Sequence, residues 1–297
     1  MTSNIAIIGA GGIGSRHLQG LSKLERQIKL IVIDPSKSAI ERARSLHEET
    51  CNDDNIQSVE YHKSLKKPIS SSIDLAIIST NSDVRRTVIE QLIEVTNVRY
   101  ILIEKIAFQS AGDFKAIIKL IEKKGIKAWV NCPRRIFDSY IWLERKIRSN
   151  EPLTMVVDGK GWGLASNSVH MIDLFSFLTG ERYVSIDKVE LDNKIYNSKR
   201  NGFIEFRGSL EFYTKRGDSL ILNDRKKKTI SNVIRIEGIN FLFLVFEQQQ
   251  KMVNIDFTNY WQCNEKTCSF PMQSELTHIV AKDIIETGDC SLSSLQD

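Results

Sequence analysis

Gly9, Gly11 and Gly14 stand in a G-x-G-x-x-G spacing directly after the apolar run "IAII". In a strand-turn-helix unit the first glycine permits the tight turn, the second lets the backbone approach a pyrophosphate, and the third lets helix and strand pack closely. The N-terminus of the following helix then faces the phosphates. A second apolar run, "LIVID", ends in Asp34, where a carboxylate would accept hydrogen bonds from both ribose hydroxyls and repel a 2'-phosphate. The combination points to NAD in preference to NADP.

Such a loop needs a sheet behind it. From residue 5 to about residue 130, short β-branched runs ("IAIIG", "LIVID", "LAIIST", "YILIE", "KAWVN") alternate with amphipathic stretches. Continuous apolar strands separated by helices predict a parallel sheet covered on both faces. Beyond residue 150 the segments alternate apolar and polar residues, as in "FIEFRGSLEFYTKRG", "DSLILND", "TISNVIRIEG" and "NFLFLVFE". These predict an antiparallel sheet, interrupted by a helix over "SVHMIDLFSFLTG" and closed by a helix over residues 273–287. The expected architecture is an α/β Rossmann-type parallel sheet domain, residues 1–127, followed by an α+β domain with a large, mostly antiparallel open sheet, residues 128–297. The C-terminal helix is expected to pack back on the first domain. "NFLFLVFE" lies on a sheet face that has too few helices to cover it, which predicts a homodimer or homotetramer through that sheet.

Composition narrows the partners. Of 297 residues, 41% are hydrophobic and 26% charged, as in an ordinary globular protein. The net charge of +4 is most concentrated at Asp224 to Lys228, "DRKKK", where no aromatic residue interleaves, so a solvated hairpin is expected rather than a nucleic-acid patch. Five cysteines without a CxxC pair fit free thiols and a cytoplasmic location. No apolar run is long enough to span a membrane, and no basic segment leads into one at the start. His47, His62 and His278 have no paired spacing, so no metal site is expected.

Further segments, in order, carry a family resemblance: "GAGGIGSRHLQGL", "STN" at Ser79 to Asn81, "ILIEKI", "NCPRRIFDSY", "NSVHMIDLFSFLTG" and the ending "SELTHIVAKDIIETGDCSLSSLQD". Across its length the chain resembles the glucose-fructose oxidoreductase, inositol dehydrogenase and rhizopine-catabolism (Gfo/Idh/MocA) family. The resemblance implies that Gly9, Gly11, Gly12, Ile13, Gly14, Asp34, Ser79, Thr80, Asn81, Glu104 and Lys105 surround the cofactor. It implies that Lys105 hydrogen-bonds the reacting oxygen, that Glu104 braces its strand, and that His170 is the general acid/base, a role suited to imidazole near neutrality. Asn131, Arg135 and Asn167 are substrate candidates. Asp173, on the next turn from His170, would orient nearby groups, or cap or pair elsewhere. Trp162 would stack on a sugar face or plug the domain interface.

Two positions depart from the family pattern. Ile106 replaces a proline that helps set the backbone around the lysine, and a cis peptide before a non-proline residue costs about 3 to 4 kcal/mol, so a different local turn is expected. Ser166 stands where members carry an aspartate four residues before the histidine, which removes a carboxylate from the proton relay. Plainer readings exist for both histidines: His170 as a core residue and His17 as packing or support behind the site. The implied activity is NAD-dependent hydride transfer at a secondary alcohol or ketone of a sugar or nucleotide-linked sugar. The alternatives are a catalytically silent NAD-binding regulator and a lyase or hydrolase cycling a tightly bound NAD.

Overall fold

The computed structural model describes residues 2–50, 55–65, 72–147, 151–198, 200–225 and 232–296. The chain forms two compact units, Met1–Cys132 with Pro271–Asp297, and Pro133–Phe270.

The first unit is built on six strands, β1 (Ser3–Ile8), β2 (Ile28–Ile33), β3 (Ile56–His62), β4 (Ser72–Ile78), β5 (Asn97–Glu104) and β6 (Lys127–Asn131), in the order β3-β2-β1-β4-β5-β6. All are parallel. Helices α1 (Gly12–Leu21), α2 (Lys37–Thr50), α3 (Arg85–Val95) and α4 (Ala111–Lys124) make the crossovers. The central strands are apolar because both sheet faces are covered: Ile5, Ile7, Leu75, Ile77 and Ile101 are fully buried. Strand order reverses between β1 and β4, the switch point at which doubly wound sheets bind ligands. β3 was not legible as a strand, since its residues are only half-buried or exposed.

Sequence reading set the boundary at residue 127. The structure sets it after Cys132 because β6 is the sixth strand of the parallel sheet. The C-terminal segment belongs to this unit. α7 (Thr277–Thr287) lies on α1 so closely that a Cβ on Gly20 would sit 2.7 Å from the Thr277 Cβ. The tail then runs along the outer edge of β6, with Val130 N–H donating to Ser293 O at 3.0 Å and Leu295 N–H to Ala128 O at 2.9 Å.

The second unit carries an eight-stranded sheet of β7 (Thr154–Gly159), β8 (Ser185–Leu191), β11 (Gly208–Tyr213), β12 (Ser219–Asp224), β13 (Val233–Gly238), β14 (Phe241–Phe246), β15 (Lys251–Asp256) and β16 (Gln262–Thr267). Its order is β16-β15-β14-β13-β7-β12-β11-β8, antiparallel except for β7 with β12. A ribbon of β9 (Tyr196–Asn197) and β10 (Ile204–Glu205) stands apart. Helices α5 (Asp138–Ile147) and α6 (Leu164–Thr179) cover one face, where Met155, Leu220, Leu222, Ile236 and Val245 are buried. Residues of opposite parity, among them Val156, Ile221, Val233 and Leu244, line a cavity of about 810 Å³ with Asp158 and Arg235.

β12 and β13 flank β7 on either side, so the basic stretch between them does not close a hairpin as expected. Lys226 to Lys228 lie outside the described residues, as does Cys51. Among the described residues no helix is long and apolar enough to cross a membrane.

Candidate active site

The loop after β1 is shaped by its glycines. Gly9 has φ +102°, a left-handed conformation that L side chains rarely adopt, and a Cβ there would meet Thr80 N at 2.8 Å. A Cβ on Gly14 would lie 1.8 Å from the Gly9 carbonyl oxygen, so the helix can approach the strand only with glycine at this position. At Gly11 and Gly12 a Cβ would meet nothing within 4 Å. No side chain caps α1, whose first N–H groups are therefore left for an external acceptor. A backbone-lined opening at a helix N-terminus fits a dinucleotide pyrophosphate. Ile13, partly buried, follows in the first turn.

Asp34 follows β2, and its two oxygens accept the Ala10 and Ser36 N–H groups at 2.7 and 2.8 Å. The carboxylate therefore ties the glycine loop to the second strand, with lone pairs remaining for ribose hydroxyls. The Ser79 hydroxyl donates to Gly9 O at 2.7 Å and locks the loops after β1 and β4 together. The Thr80 hydroxyl oxygen is buried and unpartnered among the described residues, and Asn81 is exposed.

Behind Lys105 lies a buried polar network that the sequence reading did not assemble. His17 and Thr277 are fully buried, Arg85 is 1%, Asn131 2% and Glu104 7% exposed. His17 Nε2 meets Glu104 Oε1 at 3.0 Å, and its Nδ1 meets Thr277 Oγ1 at 3.0 Å. Asn131 Nδ2 donates to the same Glu104 oxygen and, at 2.8 Å, to Gln273 Oε1. Burial alone would push the Glu104 carboxyl up. The His17 hydrogen bond and charge, the Asn131 amide and the Arg85 charge outweigh it and hold the group below the usual carboxylate range. Since an ionised carboxylate only accepts, His17 Nε2 is the donor to it. Asn131, expected at the substrate, thus lies behind the site as a brace on Glu104.

Arg85 spans the two loops. Its Nη1 donates to the carbonyls of Glu104, Ile106 and Ala107, the last at 2.9 Å, and its Nη2 to Thr80 O. A periodic signal for it exists, since Arg85 shares the buried face of α3 with Ile89, Leu92 and Ile93 at helical spacing. Lys105 is half-buried. The peptide from Lys105 to Ile106 is cis, so the altered turn expected from the missing proline does not occur.

The second unit holds the other candidates. Asp173 and Arg135 form a two-pronged ion pair at 2.9 and 3.0 Å, Asp173 being 8% exposed. The open choice for Asp173 falls on pairing, and its partner is the proposed substrate arginine. Arg134 makes a like pair with Glu247 at 2.7 and 2.8 Å, joined by the Tyr140 hydroxyl at 2.7 Å. Glu247 is pushed up by burial, but Arg134 and Tyr140 hold it below the usual range.

Between β7 and α6 runs a second glycine-rich loop. Asp224 accepts the N–H groups of Gly161 and Gly163, the latter at 3.2 Å. Trp162 donates its indole N–H to Asn223 O at 2.8 Å, and the Asn167 amide donates back to Trp162 O. Glu205, from β10, accepts the Ala165 N–H at 2.9 Å and caps α6. His170 lies half-buried on that helix, one turn before Asp173. No group of three or more potential metal ligands occurs among the described residues.

Residues 3–132 match the Gfo/Idh/MocA oxidoreductase family, described as an NAD-binding Rossmann fold. No curated protein matches the chain by sequence. Among solved structures, the fold is shared with an oxidoreductase from Agrobacterium radiobacter in complex with NAD+, L-tartaric acid and magnesium, at TM-score 0.72 and 14% identity, covering 99% of this chain and 92% of that one. UDP-N-acetylglucosamine 3-dehydrogenase GnnA from Acidithiobacillus ferrooxidans follows at TM-score 0.65 and 13% identity, with coverage of 99% and 92%. A super-repressor mutant of Gal80p from Saccharomyces cerevisiae also matches, at TM-score 0.72 and 13% identity, with coverage of 96% and 84%.

Proposed function

We propose that the chain is an NAD-dependent dehydrogenase or reductase, a reading supported by the match of residues 3–132 to the Gfo/Idh/MocA oxidoreductase family, described as an NAD-binding Rossmann fold. Its substrate is a sugar or nucleotide-linked sugar with a secondary alcohol or ketone. The observation that carries this reading is the buried charge around one lysine: Arg85 holds the carbonyls on both sides of Lys105, and the adjacent Glu104 carboxylate is held by His17 and Asn131. The nicotinamide, when bound, supplies hydride transfer. Gly9, Gly11, Gly12, Ile13 and Gly14 hold the pyrophosphate, Asp34 the adenosine ribose, and Thr80 and Asn81 flank the cofactor. Lys105 donates a hydrogen bond to the reacting oxygen, stabilising the charge that develops there. His170 takes the hydroxyl proton in oxidation and returns it in reduction. Trp162 and Asn167 contact the sugar.

The test is nicotinamide absorbance with the purified protein across sugars and nucleotide sugars, together with release of bound cofactor on denaturation. Lys105→Ala and His170→Ala should each lower turnover by roughly 10² to 10⁴, a barrier increase of about 3 to 5 kcal/mol, with NADH binding retained. A folded His170→Ala variant with wild-type turnover would sink the assignment.

Ser166, in place of the family's aspartate, and the likeness to Gal80p favour a second reading, a silent NAD-binding regulator. Bound NAD with neither redox turnover nor an elimination product would select it. The half-buried apolar residues of the open sheet, Val156, Ile221, Val233 and Leu244, support self-association. Light scattering at micromolar concentration should give a multiple of 33.9 kDa, and the monomer mass would remove the proposal.

A further inference from the structure

We propose that Arg85 is the positioning residue for Lys105. It sets the lysine's main chain and the loop after β4 as one rigid unit, a role that rests on Lys105 serving the nicotinamide chemistry. A fully buried guanidinium is expensive unless it is hydrogen-bonded, and here both Nη groups are directed at main-chain carbonyls. Three of these carbonyls, Glu104, Ile106 and Ala107, bracket Lys105 in sequence. The fourth, Thr80, belongs to the neighbouring loop, which Ser79 ties to Gly9. One planar fork thus joins the segments that end β4 and β5, and through Ser79 the glycine loop after β1. Arginine suits this because its five donors lie in a fixed plane, whereas lysine offers one flexible ammonium.

Glu104 completes the arrangement from the other side. It is held by His17 and Asn131, and the Arg85 charge favours its ionised form. The residue immediately before Lys105 is therefore fixed through its side chain by Glu104's partners and through its carbonyl by Arg85.

The experiment does not require the substrate. Limiting acetylation, read by peptide mass spectrometry, gives the rate at Lys105 relative to the exposed Lys37 and Lys188. It is performed well below each variant's melting temperature. Arg85→Met should change the relative rate at Lys105 by roughly fivefold or more, as expected when a group loses a fixed environment worth about one hydrogen bond. Arg85→Lys, which keeps the charge but not the fork, should fall between Arg85→Met and wild type. A purely structural role would lower the melting temperature and leave the relative rate within about twofold of wild type; that result overturns the proposal. Should Arg85→Met not fold, Arg85→Gln is read in its place by the same criterion.

A separate arm adds saturating NADH to the wild type. Slower acetylation at Lys105 supports its place at the nicotinamide. Binding of NADH without protection refutes that placement, and the Arg85 result without NADH still decides whether the guanidinium positions the lysine.

Discussion

Each unit contains a glycine-rich loop that leads from a strand into a helix, and each loop is tied down by an aspartate that accepts two main-chain N–H groups. Asp34 takes those of Ala10 and Ser36; Asp224 takes those of Gly161 and Gly163. The loops differ in what fills the space beside the glycines. At Gly11 and Gly12 nothing lies within 4 Å of a Cβ. At Gly163 a Cβ would meet Ser166 Oγ at 2.7 Å, Asn167 Nδ2 at 3.0 Å and Glu205 Oε1 at 3.0 Å. The first loop is a cradle that offers bare backbone to a ligand, and the second is a packed platform that offers side chains. Under the proposed function, similar anchoring would serve opposite ends: recognition of a charged group common to all dinucleotides, and a surface whose selectivity is set by which side chains stand on it.

The largest test of this contrast lies within the first loop. Gly14→Ala places a methyl 1.8 Å from the Gly9 oxygen and should destabilise the protein by more than about 3 kcal/mol, measured by urea unfolding, because backbone must move. Gly12→Ala meets open space, so its stability should stay within about 0.5 kcal/mol of wild type. Its affinity for NADH should fall by about tenfold or more, since the methyl enters the pyrophosphate's path, a loss of about 1.4 kcal/mol. Wild-type NADH binding by Gly12→Ala would break the cradle interpretation.

The platform should respond in the opposite way. Asp224 is 2% exposed, and Asp224→Asn keeps its shape while replacing one acceptor with a donor facing a main-chain N–H. The expected cost is about 2 to 3 kcal/mol of stability with NADH affinity unchanged. Calorimetry and NADH titration on the same variant check it. A loss of NADH binding in a fully folded protein would mean that the second loop also belongs to the cofactor site.

How much of this could be read from the sequence follows the same division. The cradle was legible because its chemistry is local: glycine spacing, a preceding apolar run and one acidic residue lie within 30 residues of each other. The alternation of continuous apolar runs with helices likewise gave the parallel sheet, because burial on both faces leaves a compositional trace. The network behind Lys105 was not legible, because its members come from α1, α3, β5, β6 and the C-terminal segment and meet only once the sheet is wound. His17 and Arg85 each stand on the buried face of an amphipathic helix, which marks them as buried polar residues without naming their partners. In the second unit, β8 and β16 are exposed along their length and carry little apolar alternation, so the sheet's edges escaped the reading. Asp173 could be placed on a helix, but its choice of Arg135 depended on a turn 38 residues earlier in the chain.

The smallest expected effect is also the most discriminating, because Asp34 anchors the cradle and is the residue proposed to hold the ribose. Asp34→Asn retains one acceptor for either Ala10 or Ser36, and the residue is only partly buried, so stability should fall by about 1 kcal/mol. Loss of the carboxylate removes a strong acceptor for the ribose hydroxyls and the repulsion toward a 2'-phosphate. NADH should therefore weaken by roughly tenfold while NADPH weakens less or binds more tightly, narrowing the ratio of their dissociation constants. If both weaken in proportion, Asp34 is an anchor only, like Asp224, and the preference for NAD is set elsewhere. If the ratio narrows without a change in thermal stability, the carboxylate's bonds to Ala10 and Ser36 are incidental and its contribution is made entirely to the cofactor. The expected combination of a small stability loss with a narrowed ratio distinguishes a loop built to be filled from one that is already full.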